Sequence, residues 1–141
     1  MSELRSRPMG NYIKIANWQE LYILTTHWKS DLLFYRDDLK FMRHLIDKYF
    51  NRMIKSGNMD AIEHIGLDIL EDTHEYDLLL EKVERHLDHL IEVIAEPFKY
   101  DTKAFRNEHQ DLEDEIALFI KAVRENRRRL FKVTEHILEK G

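Results

Sequence analysis

The hydrophobic residues of this chain recur, in three separate segments, with steps that alternate between three and four positions. A repeat that averages about 3.5 residues is typical of α-helices that pack against other helices in left-handed coiled coils. We call each repeating set a seam. In the first segment the seam is Trp18, Leu21, Thr25, Trp28, Leu32, Tyr35, Leu39, Met42, Ile46 and Tyr49. The pattern predicts an all-α fold.

The other two segments carry seams of the same length. In the second segment the seam is Ile62, Gly66, Ile69, Thr73, Tyr76, Leu80, Val83, Leu87, Leu90 and Ile94. In the third it is Phe105, His109, Leu112, Ile116, Phe119, Val123, Asn126, Leu130, Val133 and Ile137. Because short connections make successive helices antiparallel, these segments predict an antiparallel bundle of three long helices with coiled-coil-like heptad seams. Each helix would be roughly 50–60 Å long, and the arrangement resembles the spectrin repeat in shape.

Residues that favour helix ends separate the three segments. Asn17 is a good N-cap residue, and Glu20 three positions later suits a capping box. Gly57 can end the first helix in a left-handed conformation, and Pro97 prevents the second helix from continuing. The predicted organisation is an N-terminal arm at 1–17 and a three-helix bundle at 18–141, with helices at about 18–56, 59–96 and 101–140.

The amino-acid composition limits the cellular environments and the classes of partner that are expected for this protein. The chain has no cysteine, which excludes disulfides and thiolate metal sites. No apolar stretch approaches the ~18 residues that a membrane span needs, so no membrane partner is expected. The formal net charge of −5 disfavours nucleic acid as a partner. We therefore expect a soluble protein of the cytoplasm.

Charges are unevenly distributed between the second and third segments. Residues 60–77 hold seven carboxylates and no lysine or arginine, whereas residues 121–132 hold six basic residues and one acid. In an antiparallel helix pair these blocks lie side by side, and complementary charges of this kind set helix alignment. The run from Arg127 to Arg129 is therefore interpreted as one face of the helix pair. A nucleic-acid or phosphate patch is the alternative.

Eight histidines and many carboxylates raise the alternative of a metal site. Bundles of the hemerythrin and ferritin type place histidine and glutamate side chains inward from several helices. Here only His109 lies on a seam, and His86 and His136 flank one. The remaining histidines fall on outward positions of the predicted helices, namely His27, His44, His64, His74 and His89. No metal ligand is therefore predicted.

His109 is predicted to belong to a polar layer in the core. In the antiparallel alignment it lies level with Thr25 of the first helix and Leu87 of the second, with His86 beside it. The first interpretation is a neutral His109 hydrogen-bonded to Thr25, which fixes helix alignment as polar seam residues do. A layer that responds to pH is the alternative. Asn126 is interpreted as a second aligning residue.

A second apolar stripe runs along the first helix, off its seam. It consists of Leu33, Phe34, Phe41 and Leu45, with the two phenylalanines seven residues apart on one outward position. A helix with two apolar faces buries both of them, so this stripe is the candidate interface. It predicts a protein partner, and a second copy of the chain in a homodimer is the first choice. Cover by the N-terminal arm is the alternative.

No motif of an enzyme or of a cofactor site is present in the sequence. The four glycines are scattered rather than grouped in a phosphate loop, and no nucleophile lies in a recognisable elbow. Catalytic residues and cofactors are therefore not predicted. The expected function is that of a non-enzymatic helical scaffold or protein-interaction module. A bundle that binds a metal or a small ligand is the rival hypothesis.

Overall fold

A computed structural model describes the protein over residues 17–96 and 102–140. These residues form three long helices that pack against one another, and they contain no strand: α1 (Trp18–Lys55), α2 (Met59–Ala95) and α3 (Thr102–Lys140). The prediction of an all-α three-helix bundle is confirmed. None of the three helices is apolar enough over a sufficient length to cross a membrane. Residues 1–16 of the predicted arm, and Pro97, lie outside the described residues.

The helix ends follow from local hydrogen bonds. At the start of α1 the Asn17 N–H donates to Oε1 of Glu20 at 3.1 Å, and the Glu20 N–H donates to Oδ1 of Asn17 at 2.8 Å. This is the predicted capping box. After α1, Gly57 has a φ of 82°, its N–H donates to the Ile54 carbonyl, and the next N–H donates to the Met53 carbonyl. These two bonds make a Schellman motif, which needs the left-handed glycine that the sequence predicts.

The described residues pack into two compact units, each of which includes a part of all three helices. Unit 1 comprises the described residues of Met1–Leu33 and Asp77–Leu118, and unit 2 comprises those of Phe34–Tyr76 and Phe119–Gly141. In both units, residues later in α2 are bonded to residues earlier in α3. The two helices are therefore antiparallel. The bonded pairs are Lys82–Glu115 and His86–His109 in unit 1, and Asp68–Arg129 and Asp72–Asn126 in unit 2.

The predicted seams of α1 and α3 agree with the observed burial. Every seam residue of α1 is buried except Trp18 and Tyr49, which are half-buried. Every seam residue of α3 is buried except Val133, which is also half-buried. In unit 1 a core cluster joins residues from all three helices, namely Leu21, Leu90, Val93 and Phe105.

The predicted seam of α2 is only half right. Every second residue of the predicted seam, starting with the first, is buried as predicted: Ile62, Ile69, Tyr76, Val83 and Leu90. The buried residues between them each lie one position before the predicted one. They are Ile65, Asp72, Leu79, His86 and Val93, instead of Gly66, Thr73, Leu80, Leu87 and Ile94.

Two polar residues explain the error at two of these five positions in α2. Asp72 and His86 occupy buried positions because each bonds to α3, Asp72 to Asn126 and His86 to His109. A prediction from hydrophobicity assigns such residues to solvent and prefers the less polar residue that follows each of them. In addition, α2 packs against both α1 and α3, so its buried face is wider than a two-residue seam. Leu80 therefore remains half-buried although it is not on the true seam.

Candidate functional site

Two histidines form a hydrogen-bonded pair inside unit 1. Nε2 of His86 on α2 lies 2.7 Å from Nδ1 of His109 on α3. His86 is 2% exposed and His109 is 0% exposed, so neither ring is accessible to water. In a neutral pair one of these nitrogens donates and the other accepts. The bond therefore joins α2 to α3 through the core.

Aromatic rings enclose the histidine pair. The His86 ring is stacked on Phe105 of α3, with centroids 4.7 Å apart and planes at 12°. The His109 ring lies 4.5 Å from the Trp28 ring of α1. The His89 ring of α2 also packs against Phe105, with centroids 4.7 Å apart and planes at 77°. All three helices thus contribute to this layer.

The residues of the predicted polar layer are all buried, but their bonding differs from the prediction. Thr25, His86 and His109 are each 2% exposed or less. The predicted hydrogen bond between Thr25 and His109 is wrong, because His109 bonds to His86 and the Thr25 hydroxyl donates to the Leu21 carbonyl at 2.7 Å. A threonine inside a helix commonly donates to the carbonyl four residues earlier in the same helix. His86, predicted to flank the seam, is part of it.

Burial keeps both histidines of the pair neutral. Burial, with a smaller effect of the charge on His89, lowers the pKa of His86 from 6.5 to about 4. Burial, followed by the charges on His86 and Arg106, lowers the pKa of His109 from 6.5 to about 3. Both rings are therefore neutral at pH 7, and a proton added to either one introduces a charge into an apolar core.

The second ring nitrogen of each histidine makes no hydrogen bond among the described residues. Nδ1 of His86 lies 3.9 Å from Oε1 of Glu108, which is beyond hydrogen-bond distance. Nε1 of the neighbouring Trp28 is also buried without a hydrogen bond within the described part of the chain. Buried polar atoms of this kind are uncommon and each one destabilises the fold. The layer therefore contributes helix alignment more than net stability.

A solvent-open groove of about 680 Å³ lies between α2 and α3 in unit 1. Lys82 crosses it to Glu115 at 2.7 Å, and Arg85 and His89 also line it. The carboxylates that line it are Asp88, Glu92, Glu108, Asp111 and Glu115. Through Glu108, this acidic lining provides the negatively charged group that faces His86.

The outward histidines do not form a metal centre. The exposed ones are His27, His44, His64, His74 and His136. His89 was predicted to be outward but is half-buried, because its ring packs against Phe105. Across residues 17–96 and 102–140, no three histidine or carboxylate side chains are placed to hold one metal ion. The buried pair offers only two facing nitrogens, and these bond to each other.

Unit 2 has a buried polar layer of a different composition. Nδ2 of Asn126 donates to Oδ2 of Asp72 at 2.7 Å, and Asp72 is 9% exposed. Nη1 of Arg129 donates to Oδ2 of Asp68 at 2.8 Å and to Oδ1 of Asn126 at 3.1 Å. The aligning role predicted for Asn126 is supported by these bonds, since they connect α3 to two successive turns of α2.

The arginine run in α3 is fully paired with carboxylates. Arg127 pairs with Asp38 of α1, Arg128 with Glu125 of its own helix, and Arg129 with Asp68 of α2. Only the last of these is the predicted pairing of the α2 and α3 charge blocks. The partners nevertheless support the interpretation of the run as a charged face of the bundle, because each guanidinium is directed towards a carboxylate of this chain.

The candidate interface on α1 has two strongly exposed aromatic residues. Phe34 is 62% exposed and Phe41 is 51% exposed, whereas Leu33 and Leu45 are half-buried. The rings of Phe41 and Phe131 of α3 meet edge to face, with centroids 6.4 Å apart and planes at 89°. The apolar surface around α1 therefore continues onto α3.

The α3 side of this surface was missed from the sequence. Phe131 is half-buried, and Leu138 seven residues later is 50% exposed. Both line a shallow apolar depression on unit 2. The signal was present, since these two residues repeat at the same seven-residue spacing as the phenylalanines of α1 and lie off the α3 seam. We call the following set the aromatic surface of unit 2: Phe34, Phe41, Leu45, Phe131 and Leu138.

Comparison with known proteins adds no relative to these observations. No family model, curated protein or solved structure matches the chain. The function is therefore inferred from the side chains described above.

Proposed function

We propose that this protein is a non-enzymatic helical scaffold or interaction module that binds through the aromatic surface of unit 2. The observation that carries the proposal is the exposure of Phe34 and Phe41, at 62% and 51%. Aromatic rings at the same position of successive heptads form one contiguous apolar patch, and such patches mark protein-binding surfaces. Aromatic residues are also enriched at the centres of protein interfaces.

The partner that we propose is a second copy of the chain. Two-fold homodimers are the commonest oligomers, and their interfaces use the same patch on both subunits. When two copies of α1 run antiparallel, Phe34 of one copy faces Phe41 of the other, and symmetry makes this contact twice. An apolar stripe along a helix is thus complementary to itself.

The surface area that a stable dimer must bury is larger than the area that the two phenylalanines expose. Phe34 and Phe41 together expose about as much surface as one whole phenylalanine side chain, on the order of 200 Å². A stable interface buries about 800 Å² per partner, so the two rings are not sufficient alone. The remainder must come from Leu45, from Phe131 and Leu138 on α3, and from the polar side chains around them.

Sedimentation over a range of protein concentrations tests the dimer. The wild type is expected to dimerise, and Phe34→Glu/Phe41→Glu is expected to be a folded monomer. The double change removes both apolar anchors and brings four carboxylates together at the two-fold axis. Two central interface residues commonly account for ~2 kcal/mol each, so we expect dimerisation to weaken by at least ~100-fold. Circular dichroism verifies that the variant remains helical.

A matched control adds the same charge at equally exposed apolar positions of unit 1. Ile91 and Leu118 are 53% and 67% exposed, so Ile91→Glu/Leu118→Glu should leave the dimer intact. Equal dissociation of this control would contradict the proposed surface. A third sample lacks residues 1–15. If the wild type is a monomer and self-associates only when these residues are removed, the dimer proposal is wrong and the N-terminal arm covers the aromatic surface of unit 2.

Ligand binding in the core of unit 1 is the rival function. The observation in its favour is that His86 and His109 each bury a ring nitrogen that makes no hydrogen bond within the described residues. Elemental analysis of the purified protein separates the two proposals. If the wild type contains stoichiometric iron, manganese or zinc and His86→Gln/His109→Gln does not, the scaffold proposal is overturned and the rival is supported.

A further inference from the structure

The two units differ in the histidines that they bury. Unit 1 buries the hydrogen-bonded bases His86 and His109, together with the carboxylate Glu113. Among the described residues, unit 2 buries no histidine, and its buried acid Asp72 accepts a hydrogen bond from Asn126. We propose that mild acid opens unit 1 while unit 2 remains folded, so that the bundle is a pH-sensitive device with one responsive unit. The inference is independent of the dimer proposed above.

The neighbours of the histidine pair make a positive charge there unfavourable. From α1 the pair meets Trp28, which does not ionise and lies against His109. The ionisable groups that act on the pair are His89 from α2, with Arg106 and Glu108 from α3. Glu113, four residues after His109 on α3, is a further buried carboxylate of unit 1. Of the carboxylates, Glu108 lies 3.9 Å from His86 and its side chain is 63% exposed, so water screens its attraction. The cations His89 and Arg106 oppose protonation.

The direction of the pH effect in unit 1 follows from the lowered pKa values. In the unfolded chain each histidine binds a proton near pH 6.5. In the folded unit protonation requires a pH of about 4 at His86 and about 3 at His109. Stability from the neutral rings is therefore complete above pH 6.5 and is lost as pH falls through this window. Each histidine raises the unfolding equilibrium constant by up to about tenfold per pH unit, so the pair gives up to about 100-fold.

The direction in unit 2 is the reverse. Burial raises the pKa of Asp72; the hydrogen bond from Asn126 opposes this, and Asp68, Glu71 and Glu75 reinforce it. Burial also raises the pKa of Asp38, against the opposing charge of Arg127. A raised carboxyl pKa means that the folded unit binds the proton more tightly than the unfolded chain does. Protonation of these two carboxyl groups as pH falls therefore favours the folded form of unit 2, whereas protonation of the histidine pair disfavours the folded form of unit 1.

The chain provides a natural optical reporter for unit 1. Both of its tryptophans, Trp18 and Trp28, belong to that unit. Trp28 is buried against His109, and Trp18 packs on Phe105 with ring centroids 5.6 Å apart. Opening of unit 1 exposes both indoles to water, so their emission maximum moves to longer wavelength. Unit 2 has no tryptophan and does not contribute to this signal.

The experiment follows wild-type protein from pH 7 to pH 3.5 by tryptophan emission and by hydrogen exchange read out on peptides. After correction for intrinsic exchange rates, residues 18–33 and 77–118 are expected to lose protection at higher pH than residues 34–76 and 119–139. The emission shift should follow the first set. Loss of protection in both sets at the same pH, or in unit 2 first, would overturn the proposal.

A non-titrating variant tests the assignment to the histidine pair. Glutamine can form a hydrogen bond but does not ionise, so His86→Gln/His109→Gln should lose the steep pH dependence of opening in unit 1. The control His27→Gln/His136→Gln removes two exposed histidines and should keep it. A histidine-pair variant that opens with the wild-type pH dependence would overturn the assignment. If that variant does not fold, the exchange measurement on wild-type protein decides alone.

Discussion

Replacing Leu79 by aspartate is expected to lower the free energy of unfolding by about 4 kcal/mol or more, which is enough to unfold many domains of this size. Leu79 is 0% exposed and lies on the true seam of α2. The change removes a buried apolar side chain and leaves a carboxylate in its place without a partner. Urea unfolding followed by circular dichroism measures the loss.

Two adjacent leucines provide matched controls for this substitution. Leu80 is half-buried and Leu78 is 43% exposed, so the same change is made at three degrees of burial. We expect Leu80→Asp to cost about 1–2 kcal/mol, and Leu78→Asp and the exposed His74→Asp about 0.5 kcal/mol or less. A larger effect at Leu80 than at Leu79 would contradict the observed α2 seam and restore the one predicted from the sequence.

The fold could be predicted because hydrophobic periodicity and helix-end chemistry point to the same answer. In α1 and α3 the buried positions are occupied mostly by large apolar residues, so the pattern gives the correct faces. The capping box at Asn17 and the left-handed glycine at Gly57 depend on residues close in sequence, and such contacts are readable without a structure. Of the five positions at which the predicted α2 seam failed, Asp72 and His86 are the two where distant partners on α3 determine what is buried.

The candidate sites were only partly predictable for the same reason. The burial of His109 follows from its seam position, but its bond to His86 depends on a one-residue shift in α2 that hydrophobicity does not reveal. The exposed stripe of Phe34 and Phe41 follows from their spacing. Its continuation to Phe131 depends on how α1 and α3 approach each other in unit 2, and a single helical pattern contains no information about that.

The second large effect is expected at Asn126, whose side-chain amide is the hydrogen-bond donor to the buried Asp72 carboxylate. Asn126→Leu removes the donor and leaves that charge in the core of unit 2, with Asp68, Glu71 and Glu75 on the same helix repelling it. We expect a loss of about 3 kcal/mol at pH 7, because breaking one partner of a buried polar pair leaves the other without compensation.

The double variant Asp72→Leu/Asn126→Leu distinguishes this explanation from poor packing of the new leucine. It removes the uncompensated charge, so its stability should return to within about 1 kcal/mol of the wild type. Asn126→Leu should also raise the pKa of Asp72 further, so its destabilisation should shrink as pH falls and the carboxyl group becomes neutral. Chemical unfolding of the three proteins at pH 7 and pH 5 measures both effects. A double variant as unstable as Asn126→Leu, with no change in the loss between the two pH values, would show that packing at Asn126 matters and the buried charge does not.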